Sequence, residues 1–354
     1  MVSAVTALSP EVARAEELDR ANRHTEAVDQ LVAGVRRGDV EAITRLGKRL
    51  LVGDRAPLLP ADGARFLEDA SARGGAEGAA LVAVLLAVGA MRPQDLKAAL
   101  DSLVLAAERG WPSARSQLRL LAADRDGAHA ASSSGSAPWR ELASSIELGA
   151  WTRAVPGTDL SESPKIRLFP SFGAGDVCRW LIDRARGRLS RALVYEALSK
   201  EVTVHPTRTN TAAVFNILET DLVCVLVQQR MAACLDVPFR HFEPITVLHY
   251  AEGEQITEHF DFVDPNVPDH DQEIARKGQR IATFLVYLND DYGGGETAFP
   301  RVGVSHKGRA GEGLVFINSL ADGSADERTL HAGRPPLAGE KWIVSQFVRN
   351  RPVF

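Results

Sequence analysis

Between about Glu16 and Asp124 the chain repeats itself, and that repeat restricts its fold more than any other feature. Gly38, Gly74 and Gly110 stand 36 residues apart (74 − 38 and 110 − 74), each directly after a basic residue, Arg37, Arg73 or Arg109. The same offset aligns Leu31, Leu67 and Leu103 ahead of the glycine and Leu46, Val82 and Leu118 behind it. A period in the thirties, with two helix-like runs around a glycine turn, predicts a helical solenoid in which each unit buries its apolar face against its neighbours. The glycines are predicted to take the left-handed conformation that ends the first helix of each pair. Ala42, Gly78 and Ala114 are small enough to let paired helices approach closely. An array of this kind presents a surface to a peptide or protein, or joins copies of the chain into a homo-oligomer.

After the repeats comes DGAHAASSSGSAP, too rich in small residues to build a core, and it predicts a linker. The expected division is therefore a repeat domain at 1–127, a linker at 128–138 with a solvated His129, and a second domain at 139–354. Trp139–Trp151 reads as a short amphipathic helix that docks the two domains. With 45% hydrophobic and 25% charged residues the composition is that of a globular protein. A net charge of −5 offers no electrostatic footprint for nucleic acid or for an anionic membrane. No apolar run is long enough to span a bilayer, and MVSAVTALSPEVARAEELDR lacks the apolar core of a secretory signal. Three cysteines, Cys178, Cys224 and Cys234, sit in apolar segments and are expected as buried thiols, which fits a cytoplasmic location.

The chemistry concentrates in YAEGEQITEHFDF, Tyr250–Phe262. In an extended segment, side chains two apart share a face, so His259 and Asp261 can reach one point together. His331, in TLHAGRPP, is the candidate third ligand; two imidazoles and a carboxylate on one side of an ion suit a non-haem Fe(II) oxygenase. The bland alternative is an exposed turn. Lys341 stands ten residues on, in the strand-like run GEKWIVSQFV, where an inward ammonium wants an anion. A dicarboxylate could bind iron at one end and Lys341 at the other, with Tyr250 and Thr283 as hydroxyl partners. Asp269, His270 and Asp271 lie in a polar stretch, Val263–Gln279, expected to be a solvated loop acting as a mobile lid. A zinc hydrolase would use the same ligand types but leave Lys341 unexplained.

The motifs KIRLFPSF, FEPITVLHYAEGEQITEHFDF, GQRIATFLVYLNDDYGGGETAFP, GLVFIN and LHAGRPPLAGEKW follow in an order and spacing that resemble the 2-oxoglutarate and Fe(II)-dependent prolyl 4-hydroxylase family of bacteria and algae. The resemblance covers about Pro164–Val348. It implies an α+β chain in which the solenoid precedes a double-stranded β-helix, a jelly-roll or cupin-like domain braced by helices near Asp176–Leu189 and Asp221–Leu235. It implies His259, Asp261 and His331 as iron ligands, Lys341 for the far carboxylate of 2-oxoglutarate, and Tyr250 and Thr283 as supporting hydroxyls. Oxygen is the second co-substrate and ascorbate the expected reductant. Arg208, in HPTRTNTAAVF, resembles the family's segment near the substrate groove. Ile256 departs from the pattern, since many members carry an aromatic there. Asp261 argues for hydroxylation, because related halogenating enzymes replace that carboxylate with a small residue. The repeats, in turn, resemble Sel1-like repeats. The expected reaction is hydroxylation of prolyl residues in a peptide or protein. The alternatives are a free amino acid or natural-product intermediate as substrate, with the repeats serving oligomerisation, or a scaffold whose oxygenase domain no longer turns over.

Overall fold

A computed structural model describes residues 8–123, 139–192, 194–196, 201–203 and 207–353. The expected linker 128–138, with His129, lies outside the described residues. By their internal contacts the residues divide into two units, Met1–Leu148 with Ile217–Val225, and Gly149–Asn216 with Leu226–Phe354.

The first unit is helical: α1 (Pro10–Arg20), α2 (His24–Arg36), α3 (Val40–Val52), α4 (Pro60–Ala72), α5 (Ala76–Val88), α6 (Leu96–Glu108) and α7 (Pro112–Ala123). The 36-residue period reappears in the coordinates, since α2, α4 and α6 begin 36 apart (60 − 24 and 96 − 60), and so do α3, α5 and α7 (76 − 40 and 112 − 76). Gly38, Gly74 and Gly110 have φ of 76°, 97° and 95°, so each pair turns where a side chain would be strained. Leu31, Leu67, Leu103 and Leu118 are buried, as expected of the stripe that faces the neighbouring helices. Small residues let the paired helices touch: a Cβ on Gly34 would stand 2.5 Å from the Cβ of Ala42, and one on Gly78 would stand 3.0 Å from that of Ala70. The repeated arginines differ in their partners: Arg37 pairs with Glu11 and Arg73 with Asp69, whereas Arg109 Nη1 donates to the carbonyls of Ser71 (2.6 Å), in the last turn of α4, and Gly75 (3.2 Å), just before α5.

The second unit holds sixteen strands among the described residues. They begin with β1 (Thr158–Glu162), β2 (Lys165–Phe169), β3 (Ser190–Arg191), β4 (Val194–Glu196), β5 (Glu201–Thr203) and β6 (Thr211–Val214). Next come β7 (Thr246–Tyr250), β8 (Ile256–His259), β9 (Arg280–Tyr287), β10 (Gly293–Gly294) and β11 (Thr297–Phe299). The last are β12 (Val304–His306), β13 (Gly313–Ile317), β14 (His331–Gly333), β15 (Pro336–Ala338) and β16 (Lys341–Arg349). The larger sheet has the order β1-β2-β13-β9-β16-β7-β6-β3 and the smaller β12-β11-β14-β8, with antiparallel pairing in both. Ile166, Leu248, Tyr250, Leu285, Tyr287, Leu314, Phe316 and Ile343 of the large sheet cluster with Phe299 of the small one, which is the jelly-roll core expected.

Strands β9 and β16 are largely buried on both faces because the large sheet is covered on its outer side as well. The helix Gly175–Arg186 buries Val177, Cys178, Leu181 and Ala185 there, and Cys178 Sγ lies 3.9 Å from the Tyr287 carbonyl. Cys178 thus faces inward, while Trp180 is half-buried. All three cysteines are free thiols. The polar stretch after Asp261 differs from the expected loop: His270–Lys277 is a helix, with Asp271 and Glu273 in its first turn and Arg276 and Lys277 in its last, charges that complement the helix dipole. Buried Arg349 fastens it to β16 through Glu273 Oε1 (2.6 Å) and the Gly278 carbonyl (2.5 Å).

The packing of α3 against α4 yields a test. A Cβ at Gly63 would stand 2.5 Å from Leu51 N and 2.7 Å from Gly47 O, whereas one at Gly74 meets open space and only backbone strain. We expect Gly63→Ala to cost about 2–3 kcal/mol or more in urea unfolding, and Gly74→Ala about 1 kcal/mol.

Candidate active site

The small sheet brings two of the three candidate ligands together through backbone pairing alone. His331 in β14 is the Cα partner of His259 in β8, and their rings lie 4.2 Å apart between centroids. Asp261 follows two residues after the end of β8 and turns its carboxylate to both, with Oδ1 at 3.4 Å from His259 Nε2 and Oδ2 at 3.4 Å from His331 Nε2. Candidate ligand atoms of the three residues all lie within 4.8 Å of one another, and no other such group of three occurs among the described residues. Phe299 and Phe316 pack on the ring of His331 at 5.5 and 4.6 Å and fix its plane.

The hydrogen bonds decide what this cluster can do. His259 Nδ1 lies 2.9 Å from the carbonyl of Thr257, and His331 Nδ1 lies 3.0 Å from that of Thr329, so in both rings Nδ1 carries the proton and donates. Each Nε2 is then an electron pair aimed at a carboxylate. Burial pushes His331 down to about 4, which keeps its ring neutral. Burial would raise Asp261, but the charge that His331 and His259 carry when protonated and the Thr283 hydroxyl outweigh it and hold the carboxyl far below the usual range. A divalent cation takes the place of such protons and turns the same arrangement of two Nε2 lone pairs and a carboxylate into three bonds. The donor set fits Fe(II), and carbonyl acceptors behind both histidines are the support that metal-binding imidazoles use.

A cavity of about 530 Å³ opens over this cluster. Lys341, Ile343, Ser345 and Phe347, alternate residues of β16, line it together with Leu248 and Tyr250 of β7, Leu285 of β9 and Thr297 of β11. Lys341 is wholly buried and is the Cα partner of Tyr250. Its Nζ donates to the Gly295 carbonyl at 2.7 Å, which the left-handed Gly295 (φ 73°) turns toward it, and lies over the rings of Tyr250 (5.3 Å) and Tyr287 (5.7 Å). No carboxylate of the described residues is within ion-pair distance, and burial, opposed only by the more distant Glu296, brings Lys341 down to about 7. A buried ammonium without a counter-ion at the end of a cavity fits the distal carboxylate of a dicarboxylate.

The remaining expected positions divide. Tyr250 is buried at the cavity wall, its hydroxyl pushed up to about 12 by burial. Gly333 gives it room, since a Cβ there would meet Tyr250 Oη at 3.3 Å. Ile256 lines the cavity beside it. Arg208 is half-buried at the cavity, bridged through its backbone to Ile256, with Nε 3.2 Å from Asn210 Oδ1. Thr283 corrects the expectation: its hydroxyl donates to Asp261 Oδ2 at 2.7 Å, and it is not among the residues that line the cavity. A hydroxyl has one proton, so a Thr283 that gives it to Asp261 has none for a co-substrate carboxylate. Thr297, in GGGETAFP, is a cavity hydroxyl that sequence reasoning missed; it accepts from Tyr287 Oη at 2.9 Å, which leaves its own proton free. Asn318 was missed as well, since nothing in the motif it closes, GLVFIN, gives it a partner.

Lys341 sets a pH dependence. Below about 7 the lysine is charged in the folded and unfolded chain alike, and the folded state bears the full cost of burying it. Between about 7 and the unfolded value the unfolded chain binds the extra proton, so stability rises with pH. We expect Lys341→Met to be more stable than the parent at pH 6.5 by at least about 1 kcal/mol in urea unfolding, the worth of a single pKa unit, and to lose part of the rise toward pH 9.

Residues 245–349 match the family model described as the 2OG-Fe(II) oxygenase superfamily. Probable prolyl 4-hydroxylase 9 of Arabidopsis thaliana is 29% identical over 217 residues, 56% of this chain and 73% of its own length. Among solved structures, the viral collagen prolyl hydroxylase of Paramecium bursaria Chlorella virus-1, as its 2OG complex, is 26% identical and covers 52% of this chain and 95% of its own, with a TM-score of 0.41. A Sel1 repeat protein of Oxalobacter formigenes is 15% identical, covering 37% of this chain and 53% of its own, with a TM-score of 0.27. No helix of the described residues is long and apolar enough to cross a membrane. His259, Asp261, His331 and Lys341 all fall inside the segment that is similar to the 2OG-Fe(II) oxygenase superfamily.

Proposed function

We propose that the C-terminal unit hydroxylates an unactivated C–H bond of prolyl residues in a peptide or protein, with Fe(II) held by His259, Asp261 and His331 and 2-oxoglutarate paired with Lys341. The observation that carries the reading is the convergence of two imidazole Nε2 atoms and a carboxylate beside a cavity that ends at a buried, unpaired ammonium. The names of the relatives it resembles support proline as the target. When bound, the ion would supply the oxidative chemistry, coupling reduction of O2 to decarboxylation of 2-oxoglutarate to succinate and CO2, while ascorbate, outside that balance, serves as the reductant that keeps the ion ferrous.

The chain supplies binding, orientation and exclusion of water. Lys341 pairs with the distal carboxylate of the co-substrate. Tyr250 packs beside that ammonium, and Thr297 is the cavity hydroxyl with a proton to give. Leu248, Leu285 and Ile343 form the apolar wall that keeps water out. Arg208 and Phe260 stand at the cavity where a substrate chain would contact them. The helical repeats serve recognition of the target protein or self-association.

The test is anaerobic reconstitution with Fe(II) and 2-oxoglutarate, followed by oxygen exposure with proline-containing peptides and free amino acids offered in parallel. We expect peptide gaining one oxygen in step with succinate release, and Asp261→Ala losing about 10³-fold or more of both. Because Lys341 must be charged to hold a carboxylate, 2-oxoglutarate affinity should fall as pH rises above about 7, by up to about tenfold per unit, and Lys341→Met should bind weakly at every pH. Oxygen incorporated only into free amino acids, or an Asp261→Ala variant as active as the parent, overturns the reading.

A further inference from the structure

The carboxylate of the candidate metal centre is not left to find its own orientation. Asn318 Nδ2 donates to Thr283 Oγ1 at 3.0 Å, and Thr283 Oγ1 donates to Asp261 Oδ2 at 2.7 Å. Asn318 and Thr283 are fully buried and Asp261 nearly so. The chain of donors therefore runs in one direction, from an amide that cannot ionise to a carboxylate that can. The backbone of Asn318 is pinned independently: its N–H donates to the Ile281 carbonyl at 2.7 Å and its carbonyl accepts from Asp326 N at 2.8 Å.

A further observation shows that the direction matters. Asn318 Oδ1 is buried with no hydrogen-bond partner. A buried carbonyl oxygen left unpaired costs about 1–3 kcal/mol. Turning the amide over would not repair this, because Oδ1 would then face Thr283 Oγ1, whose only proton is already given to Asp261. The amide is therefore held for what its NH2 group does.

We propose that Asn318 and Thr283 are positioning residues for Asp261: together they fix the plane of the carboxylate by engaging Oδ2, which also stands 3.4 Å from His331 Nε2, so that Oδ1, 3.4 Å from His259 Nε2, is the oxygen left to offer to a metal. This rests on the metal-centre reading of His259, Asp261 and His331 given above. Donation to the co-substrate's far carboxylate, the part expected of Thr283 from the sequence, is incompatible with it.

The test uses metal-free full-length protein titrated with Co(II), followed by calorimetry and by its visible ligand-field absorption, with thermal unfolding as the control for fold. We expect the parent to bind one Co(II) per chain and Thr283→Val to bind about 10–100-fold more weakly with an altered spectrum, the usual cost of losing a partner behind a metal ligand. Thr283→Ser, which keeps the donor, should restore affinity and spectrum. Asn318→Leu, which keeps the volume and cannot donate, should weaken binding as Thr283→Val does. If the valine variant does not fold, the serine and Asn318→Leu variants decide: parent-like binding by the first with weakened binding by the second supports the proposal. Parent-like affinity and spectrum in Thr283→Val or Asn318→Leu, or a folded Thr283→Ser that binds as weakly as Thr283→Val, overturns it while the metal centre stands. A parent that takes up no Co(II) overturns the metal-centre reading and this proposal with it.

Discussion

Three groups that accept protons face one point with none between them, and much of the second unit is arranged to keep them there. His259 and His331 are partners across an antiparallel ladder, so the distance between their rings is set by strand pairing and not by loops. The carbonyls of Thr257 and Thr329 take the Nδ1 protons, and burial keeps the ring of His331 neutral. A cation that joins such a cluster meets two Nε2 lone pairs and a carboxylate already facing it. That is the physical sense in which the fold is built for an ion.

The second constraint is charge at depth. Lys341 begins β16 at the buried end of the cavity, opposite Tyr250, with one carbonyl and two aromatic faces in place of a counter-ion. Elsewhere the same strand treats a buried cation differently: Arg349, at its far end, is wholly buried but meets Glu243 at 2.5 Å and Glu273 at 2.6 Å. One strand thus carries a satisfied cation that anchors the helix after Asp261 and an unsatisfied one that awaits a ligand. The contrast separates structural from functional burial.

Much of this was legible in the sequence because it depends on local periodicity. The 36-residue offset fixes where the helices of the first unit begin, and an imidazole two residues from a carboxylate in an extended run must share its face. Lys341 was legible because an ammonium in an apolar alternating strand has few innocent explanations. What was lost depends on tertiary register. Thr283 and Thr297 are both hydroxyls in strands near the site, and only the packing of β9 shows that the first gives its proton to Asp261. Asn318 closes the motif GLVFIN, but nothing in that motif gives it a partner, so its place behind Thr283 is visible only in three dimensions. The helix His270–Lys277 was hidden by a polar, proline-containing context, though its acidic start and basic end were a signal in plain view.

The most direct measurement is anomalous diffraction at the iron edge from crystals grown anaerobically with Fe(II) and 2-oxoglutarate. We expect a single strong peak bounded by Nε2 of His259, Nε2 of His331 and the Asp261 carboxylate, with dicarboxylate density running from it to Lys341 Nζ. A peak elsewhere, or a dicarboxylate that ignores Lys341, contradicts the central claim.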